Sequence, residues 1–151
     1  MIAAMEARLA AVARRVSSVP PEKRLRVIDY ATGGTAQGRG SSWDGMLGRA
    51  GLVDGVGDLA ADEWGQVPLS REKLLQLDPD LLVLPGWVMG NPRGSATFFA
   101  QVTGDPSLKG LRAVKTHRVY PMPEKLKSTT SQYIAAAVEW LARTAYPDSF
   151  R

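Results

Sequence analysis

The stretch PLSREKLLQLDPDLLVLPG, residues 68–86, contains the pattern of one helix, one turn and one strand. Ser70 precedes leucines at helical spacing, and its hydroxyl is the kind of group that caps a helix. The Asp-Pro-Asp sequence at 78–80 is typical of a turn. The next five residues, 81–85, carry no polar side chain, which favours a strand covered on both faces, as in a parallel sheet. The stretch therefore predicts one helix–strand unit of an α/β domain.

The same alternation of helix and strand runs along the whole chain. Apolar residues at steps of three and four predict a one-sided first helix, which ends before two prolines at residues 20 and 21. Further elements follow from the same reasoning: strands at about 25–30 and 118–122, and helices at about 43–50, 96–103 and 131–145. The sequence therefore predicts a three-layer α/β sandwich with a mostly parallel central sheet and helices on both faces. We expect the following side chains to be buried: Val27, Ile28, Leu82, Val83, Leu84, Val119, Ile134, Val138 and Leu141.

Composition excludes several classes of protein. With 151 residues, 44% of them hydrophobic and 23% charged, the chain has the make-up of one globular domain. The 19 Lys and Arg residues are spread along the sequence, so the net charge of +4 predicts no nucleic-acid partner. The absence of cysteine excludes disulfides and thiol chemistry. No apolar run approaches the ~20 residues of a membrane span.

No group of residues suggests catalysis, a cofactor or a bound metal. The Gly-rich run GGTAQGRG matches neither the GxGxxG pattern nor the phosphate-binding loop that ends in Gly-Lys-Ser/Thr. His117, the single histidine, precedes a strand and is expected to be a surface turn residue. Asp78 and Asp80 flank a proline and are interpreted as turn residues. Two rival interpretations stay open: a self-contained cytosolic domain or enzyme that binds a phosphate-bearing ligand in the loop at 32–43, and a basic nucleic-acid-binding module, which the scattered Lys and Arg residues disfavour.

A binding face is predicted at the carboxyl ends of the strands, where ligands lie in open α/β sheets. Three segments rich in Gly, Pro or small polar residues fall there, at 32–43, 86–94 and 123–130. Tryptophans in loops can stack on a flat ligand, and arginines can pair with an anionic one. The predicted ligand-binding residues are Trp43, Trp64, Trp87, Arg39 and Arg93. Trp140, on the last helix, is expected in the core or at its edge.

A family resemblance rests on residues 68–86, on DPSLKGLRAVKTHRVYPMP at 105–123 and on the ending YPDSF. Their order resembles the C-terminal lobe of the periplasmic binding proteins that serve ABC importers of iron-siderophores, haem and cobalamin. The resemblance extends from about residue 25 to 150, and His117 stands where that family usually has glycine. The matching positions are Ser70, Glu72, Leu74, Leu77, Pro79, Asp80, Leu111, Ala113, Val114, Lys115, Arg118, Val119 and Tyr120.

The resemblance implies a non-enzymatic solute-binding lobe. Residues 1–20 would be the end of the helix that joins two lobes, and residues 21–151 the C-terminal ligand-binding lobe, with the N-terminal lobe missing. The ligand would be a metal chelate (a ferric siderophore, haem or cobalamin), and the protein partner an ABC permease. Glu72 would dock onto permease arginines, while Trp64 and Trp87 would face the ligand cleft.

The resemblance also bears on location. This sequence begins without the features of a signal peptide, so taken alone it would be expected to stay in the cytoplasm. The family is exported and is often a lipoprotein, which implies a periplasmic or extracellular parent protein. Which chelate is bound, and whether the isolated lobe is a monomer, stay open at this point.

Overall fold

The computed structural model describes residues 2–31, 34–39, 41–63, 65–85, 93–122 and 134–150. Its α-helices are α1 (Ile2–Val16), α2 (Ser42–Arg49), α3 (Arg71–Leu77), α4 (Gly94–Gly104), α5 (Arg112–Lys115) and α6 (Ile134–Ala145). Short 3-10 turns lie at Pro21–Lys23, Pro106–Leu108 and Pro147–Phe150. The described helices include none with both the length and the apolar character needed to cross a membrane.

In the described part of the chain the main sheet has four strands, all parallel, which confirms the predicted mostly parallel sheet. They are β1 (Arg26–Asp29), β3 (Val53–Asp54), β5 (Leu81–Pro85) and β6 (Val119–Met122), in the order β3-β1-β5-β6. Pro121 lies in β6, the last strand in this order, where a residue without a backbone N–H is tolerated. The edge strand β3 has only two residues and was not predicted.

The apolar run of β5 is covered on both sides. Leu81 and Val83 belong to a core shared with α1, α2 and α6, whereas Leu82 and Leu84 belong to a second core shared with α3, α4 and α5. Alternate side chains of a strand point to opposite faces, so β5, which has helices on both sides, buries apolar side chains on both faces. The three-layer architecture is thereby confirmed. Of the nine predicted core residues, eight are buried, and Ile134 is partly buried against the first core.

The turn between α3 and β5 depends on its two aspartates, as predicted. Asp78 ends α3 in the left-handed region at φ 44°. The Asp80 carboxylate accepts a hydrogen bond from the Arg26 backbone N at 2.9 Å and another from Arg112 Nη1 at 2.7 Å. One turn side chain therefore joins the starts of β1 and α5 to the start of β5.

The Gly-rich segment predicted as a loop is partly a strand. Residues Thr35–Gln37 form β2, which pairs antiparallel with β4 (Gln66–Pro68) in a separate two-stranded sheet. A three-residue strand of Thr, Ala and Gln has no apolar pattern to mark it in the sequence. Its pairing partner is distant along the chain, so the prediction of a loop over the whole of this segment was wrong.

Candidate functional site at the carboxyl edge of the sheet

At the carboxyl edge, the ends of all four strands are described, but the segments that follow are described only for β1 and β3. Strand β1 ends at Asp29 and is followed by Tyr30, β3 ends at Asp54, and β6 ends at Met122. Residues 86–92, which follow β5, and 123–133, which follow β6, lie outside the described part of the chain. Trp64 and Trp87 fall among the residues not described, so their predicted ligand contacts stay predictions.

The small sheet of β2 and β4 positions the loop at this edge. Gly38 N donates to Gly65 O at 2.7 Å, and Leu69 N donates to Gly34 O at 2.7 Å. A Cβ atom at Gly38 would lie 2.9 Å from Val67 Cγ2, so the backbone approaches β4 more closely than any other residue type allows. These contacts hold the chain that leads into Arg39.

Arg39 lies on the surface of this edge, opposite an acidic partner. Its Nη2 atom is 3.3 Å from Asp58 Oδ1, and the two side chains are 73% and 98% exposed. An ion pair in water at this exposure contributes little to stability. Its guanidinium therefore lies where an anionic ligand could reach it, with Asp58 as the competing acceptor.

Two further residues at this edge lie beside helix α4. Arg93 immediately precedes the helix, and Tyr30, which follows β1, contacts it. Arg93 is exposed at the position before the helix, and its side chain does not cap the helix. The Tyr30 ring stacks on Phe98 of α4, with ring centroids 5.9 Å apart and an interplanar angle of 22°. This stack fixes the end of β1 against α4 and leaves Tyr30 only 8% exposed.

Trp43 does not face a ligand, and its predicted role is corrected. Its side chain is 0% exposed and lies in the core beneath α2, among residues of α1, β1 and α6. Trp43 is the second residue of α2, and the helix packs against α6, β3 and α1. Trp140 is partly buried against the same core, as predicted.

Two buried carboxylates, Asp29 and Asp54, lie at this edge and were not singled out from the sequence. Asp29 is 2% exposed and Asp54 is 6% exposed. Asp29 Oδ1 accepts from Gln37 N at 2.9 Å, and Asp54 Oδ1 accepts from Val56 N at 3.1 Å. For Asp29 the available signal was a carboxylate at the end of an apolar strand, whereas Asp54 ends a two-residue strand that no sequence pattern marked.

Burial raises the pKa of Asp54 to about 7. The Val56 N–H opposes this rise by stabilising the charged form, and the negative charges of Asp29 and Asp44 add to it. The carboxyl edge therefore contains a group that titrates near neutral pH.

Glu72 is exposed in the first turn of α3, as the docking hypothesis requires. The helix is capped by Ser70, whose Oγ accepts from Lys73 N at 3.1 Å. Within the described residues, the Glu72 carboxylate takes part in no hydrogen bond or ion pair. It is therefore accessible to a partner, and the cap does not depend on it.

His117 is an exposed turn residue, as predicted, at φ 57°. This is the left-handed region that glycine adopts most easily. His117 stands where the resembled family usually has glycine, and this conformation agrees with that.

These observations define a class of protein: an α/β lobe with a parallel sheet whose carboxyl edge presents exposed charged groups above a two-sided apolar core. A family model for periplasmic binding proteins matches residues 1–126. The chain belongs to the periplasmic binding protein family, which confirms the resemblance seen in the sequence.

Similar proteins agree with this assignment. The chain is 29% identical over 92 residues to an uncharacterized ABC transporter substrate-binding lipoprotein, YvrC, of Bacillus subtilis, covering 61% of this chain and 26% of that protein. It superposes with a TM-score of 0.79 on the molybdate periplasmic binding protein MolA of Haemophilus influenzae, bound to molybdate, at 23% identity over 97% of this chain and 43% of that one.

A second solved structure is an ABC-type Fe3+-hydroxamate transport protein of Saccharomonospora viridis. The identity is 26% and the TM-score 0.73, covering 95% of this chain and 47% of that one. The chain thus spans less than half the length of each of these relatives.

Proposed function

We propose that this chain is the C-terminal lobe of the substrate-binding component of an ABC importer, and that it captures its ligand without catalysis. The observation that carries the proposal is the family match over residues 1–126. The superposed region includes nearly all of this chain but less than half of each solved relative. Residues 1–20 would end the helix between two lobes, and residues 21–151 would form half of the ligand cleft.

The ligand proposed is a metal chelate: a ferric siderophore, haem or cobalamin. Support comes from the 26% identity to the Fe3+-hydroxamate transport protein and from Arg39 and Arg93, two exposed basic residues at the carboxyl edge. A chelate of this kind offers both acidic and flat apolar parts. Trp64 and Trp87 would contact the apolar parts.

Glu72 is proposed as the group that docks on arginines of the permease. Its exposure and its lack of a role in the cap of α3 support this. The lipoprotein relative of B. subtilis supports an exported parent protein, periplasmic or extracellular and anchored by lipid.

A ligand titration of the two-lobed protein tests the proposed class. Intrinsic tryptophan fluorescence is followed while ferric siderophores, haem, cobalamin, molybdate and Ni2+ are added separately. We expect saturable binding of one of the three chelates and none of molybdate or Ni2+. Binding of molybdate alone, or of free Ni2+ alone, would contradict the chelate class while keeping the transport function.

Trp87→Ala in the same two-lobed protein tests the proposed contact. Loss of an aromatic stack is worth about 1 kcal/mol, so affinity should fall roughly fivefold. The circular dichroism spectrum serves as the control for folding. Unchanged affinity in a folded variant would remove Trp87 from the site.

A further inference from the structure

Asp54 is a buried carboxylate with one oxygen left unsatisfied. It ends the edge strand β3 and is 6% exposed. Its Oδ1 atom accepts from Val56 N, whereas Oδ2 is buried and has no hydrogen-bond partner within the described residues. An ionised carboxylate in this position lacks the solvation that a charged oxygen requires.

The charged groups around Asp54 do not compensate its charge. Strand β1 contributes Asp29 and helix α2 contributes Asp44, and both raise the Asp54 pKa, second to the effect of burial. The basic group that reaches the adjacent turn is Arg26, whose guanidinium donates to the carbonyl oxygens of Gly55 and Leu77, at 3.2 and 2.9 Å.

The turn after Asp54, residues 55–58, is pressed against β1. Gly55 N donates to Val27 O at 2.8 Å, and Gly57 N donates to Asp54 O at 3.0 Å. A Cβ atom at Gly55 would lie 2.5 Å from Ile28 Cγ1, so the turn can lie this close to β1 because glycine has no Cβ. The turn ends at Asp58, which pairs with Arg39 at the carboxyl edge.

We propose that Asp54 is a proton-dependent positioning residue: its neutral carboxyl keeps the turn 55–58 closed on β1, and its ionisation favours an open turn in which Asp58 leaves Arg39. In the closed state Oδ2 is buried without a donor, and lifting of the adjacent turn would admit the water that an ionised Oδ2 requires. The inference rests on the proposed function only in treating Arg39 as part of the ligand-binding edge. Opening would free Arg39 from its acidic competitor.

The direction of the pH dependence follows from the raised pKa. With a pKa of about 7 in the closed form and the ordinary value of 3.8 when exposed, the closed form binds the proton more tightly. The stabilisation of the closed turn is complete below the ordinary value. As pH rises towards 7 this stabilisation is lost, and the equilibrium constant for opening increases by up to about tenfold for each pH unit. Above pH 7 the equilibrium constant stays level.

Amide hydrogen exchange on the full chain tests the proposal. Exchange of the Gly55 and Gly57 amides is measured between pH 5 and 8 and corrected for the intrinsic pH dependence of exchange. We expect their protection to fall by up to about tenfold per unit towards pH 7 and then to level off. Asp54→Asn, which keeps an acceptor for Val56 N and cannot ionise, should remove the fall. The matched control Asp58→Asn, at an exposed carboxylate, should keep it.

Three results would overturn the proposal. The first is a fall in protection that persists in Asp54→Asn. The second is an equal fall at the Leu141 amide of α6, which would show that the whole fold opens rather than the turn. The third is a carbon-13 titration of the wild-type Asp54 carboxyl centred near 4, which decides the matter even if Asp54→Asn does not fold. None of these measurements uses a ligand, so a failed ligand titration would be distinguishable from them.

Discussion

At the scale of single residues, the aspartates of this chain show how surroundings assign different roles to one side chain. Asp80 lies where a backbone N–H and a guanidinium both reach its oxygens, and it joins three elements. Asp58 is almost fully exposed and forms a surface pair. Asp54 is buried with one donor, and it is the carboxyl whose pKa rises to about 7. Burial that a single donor only partly offsets, rather than the residue type, gives Asp54 its raised pKa.

Glu72 is the residue at which a structural role and a docking role make different predictions. Glu72→Gln should cost only a few tenths of a kcal/mol in stability, since Ser70 makes the cap and a charge in the first turn is worth about 0.3–1 kcal/mol. If Glu72 docks onto permease arginines, this change should leave ligand affinity intact and reduce uptake. Glu72→Arg should reduce uptake further, because like charges at a contact repel. Importer-dependent uptake is measured beside ligand titration of the same variants.

A neighbouring position supplies the control for Glu72. Gln76, also exposed on α3, can be changed to Arg to alter the charge of the same helix without touching its first turn. Normal uptake by Glu72→Arg would refute the docking role. Loss of both uptake and ligand binding would indicate misfolding, and that result would also remove support for docking.

At the scale of elements, Tyr146 connects three parts of the chain at the end of α6. Its hydroxyl donates to Gly51 O at 2.7 Å and accepts from Leu25 N at 3.0 Å. It thereby joins the turn after α2 and the residue before β1 to the last helix. A single hydroxyl that serves two backbone groups holds the amino edge of the sheet together.

Removal of this hydroxyl should destabilise the fold. Tyr146→Phe leaves a carbonyl and an N–H without their partner, so we expect a loss of about 1–3 kcal/mol in the free energy of unfolding, measured by urea denaturation. Tyr120→Phe is the matched control, because the Tyr120 hydroxyl makes no hydrogen bond to a described residue. Equal stabilities of the two variants would show that the bonds to Gly51 and Leu25 contribute nothing.

At the scale of the whole molecule, the chain presents one side of the proposed cleft. A pocket that buries most of its ligand needs walls on both sides. If the proposed cleft is correct, much of the enclosing surface would come from the other lobe, so we expect this chain alone to bind the ligand of the two-lobed protein at least roughly tenfold more weakly. Isothermal titration calorimetry of both proteins with the same chelate makes the comparison.

The comparison of affinities requires that this chain folds without the other lobe. The two apolar cores and the parallel sheet lie within this chain, so its urea unfolding should be cooperative on its own. Equal affinities for the two proteins would place the whole binding site in this chain and would contradict the two-lobed cleft.

Much of the architecture could be predicted from local pattern. The apolar run 81–85 predicted a strand with helices on both sides, and the spacing of apolar residues located the first and last helices. The roles of Asp78, Asp80 and His117 as turn residues also followed from the sequence, because turn chemistry is local. The family resemblance depended on the order of these same local signals.

The sequence alone thus determined the order of the longer helices and of strands β1, β5 and β6, the mostly parallel sheet and the family, since these follow from local patterns and their order along the chain. Only the tertiary structure decided that Trp43 is a core residue and that Asp54 is a buried carboxyl with a raised pKa. It also paired β2 with β4, which lie far apart along the chain. The physical reason is that burial and hydrogen-bond partners are set by elements that meet in space, and no local pattern of residues contains that contact.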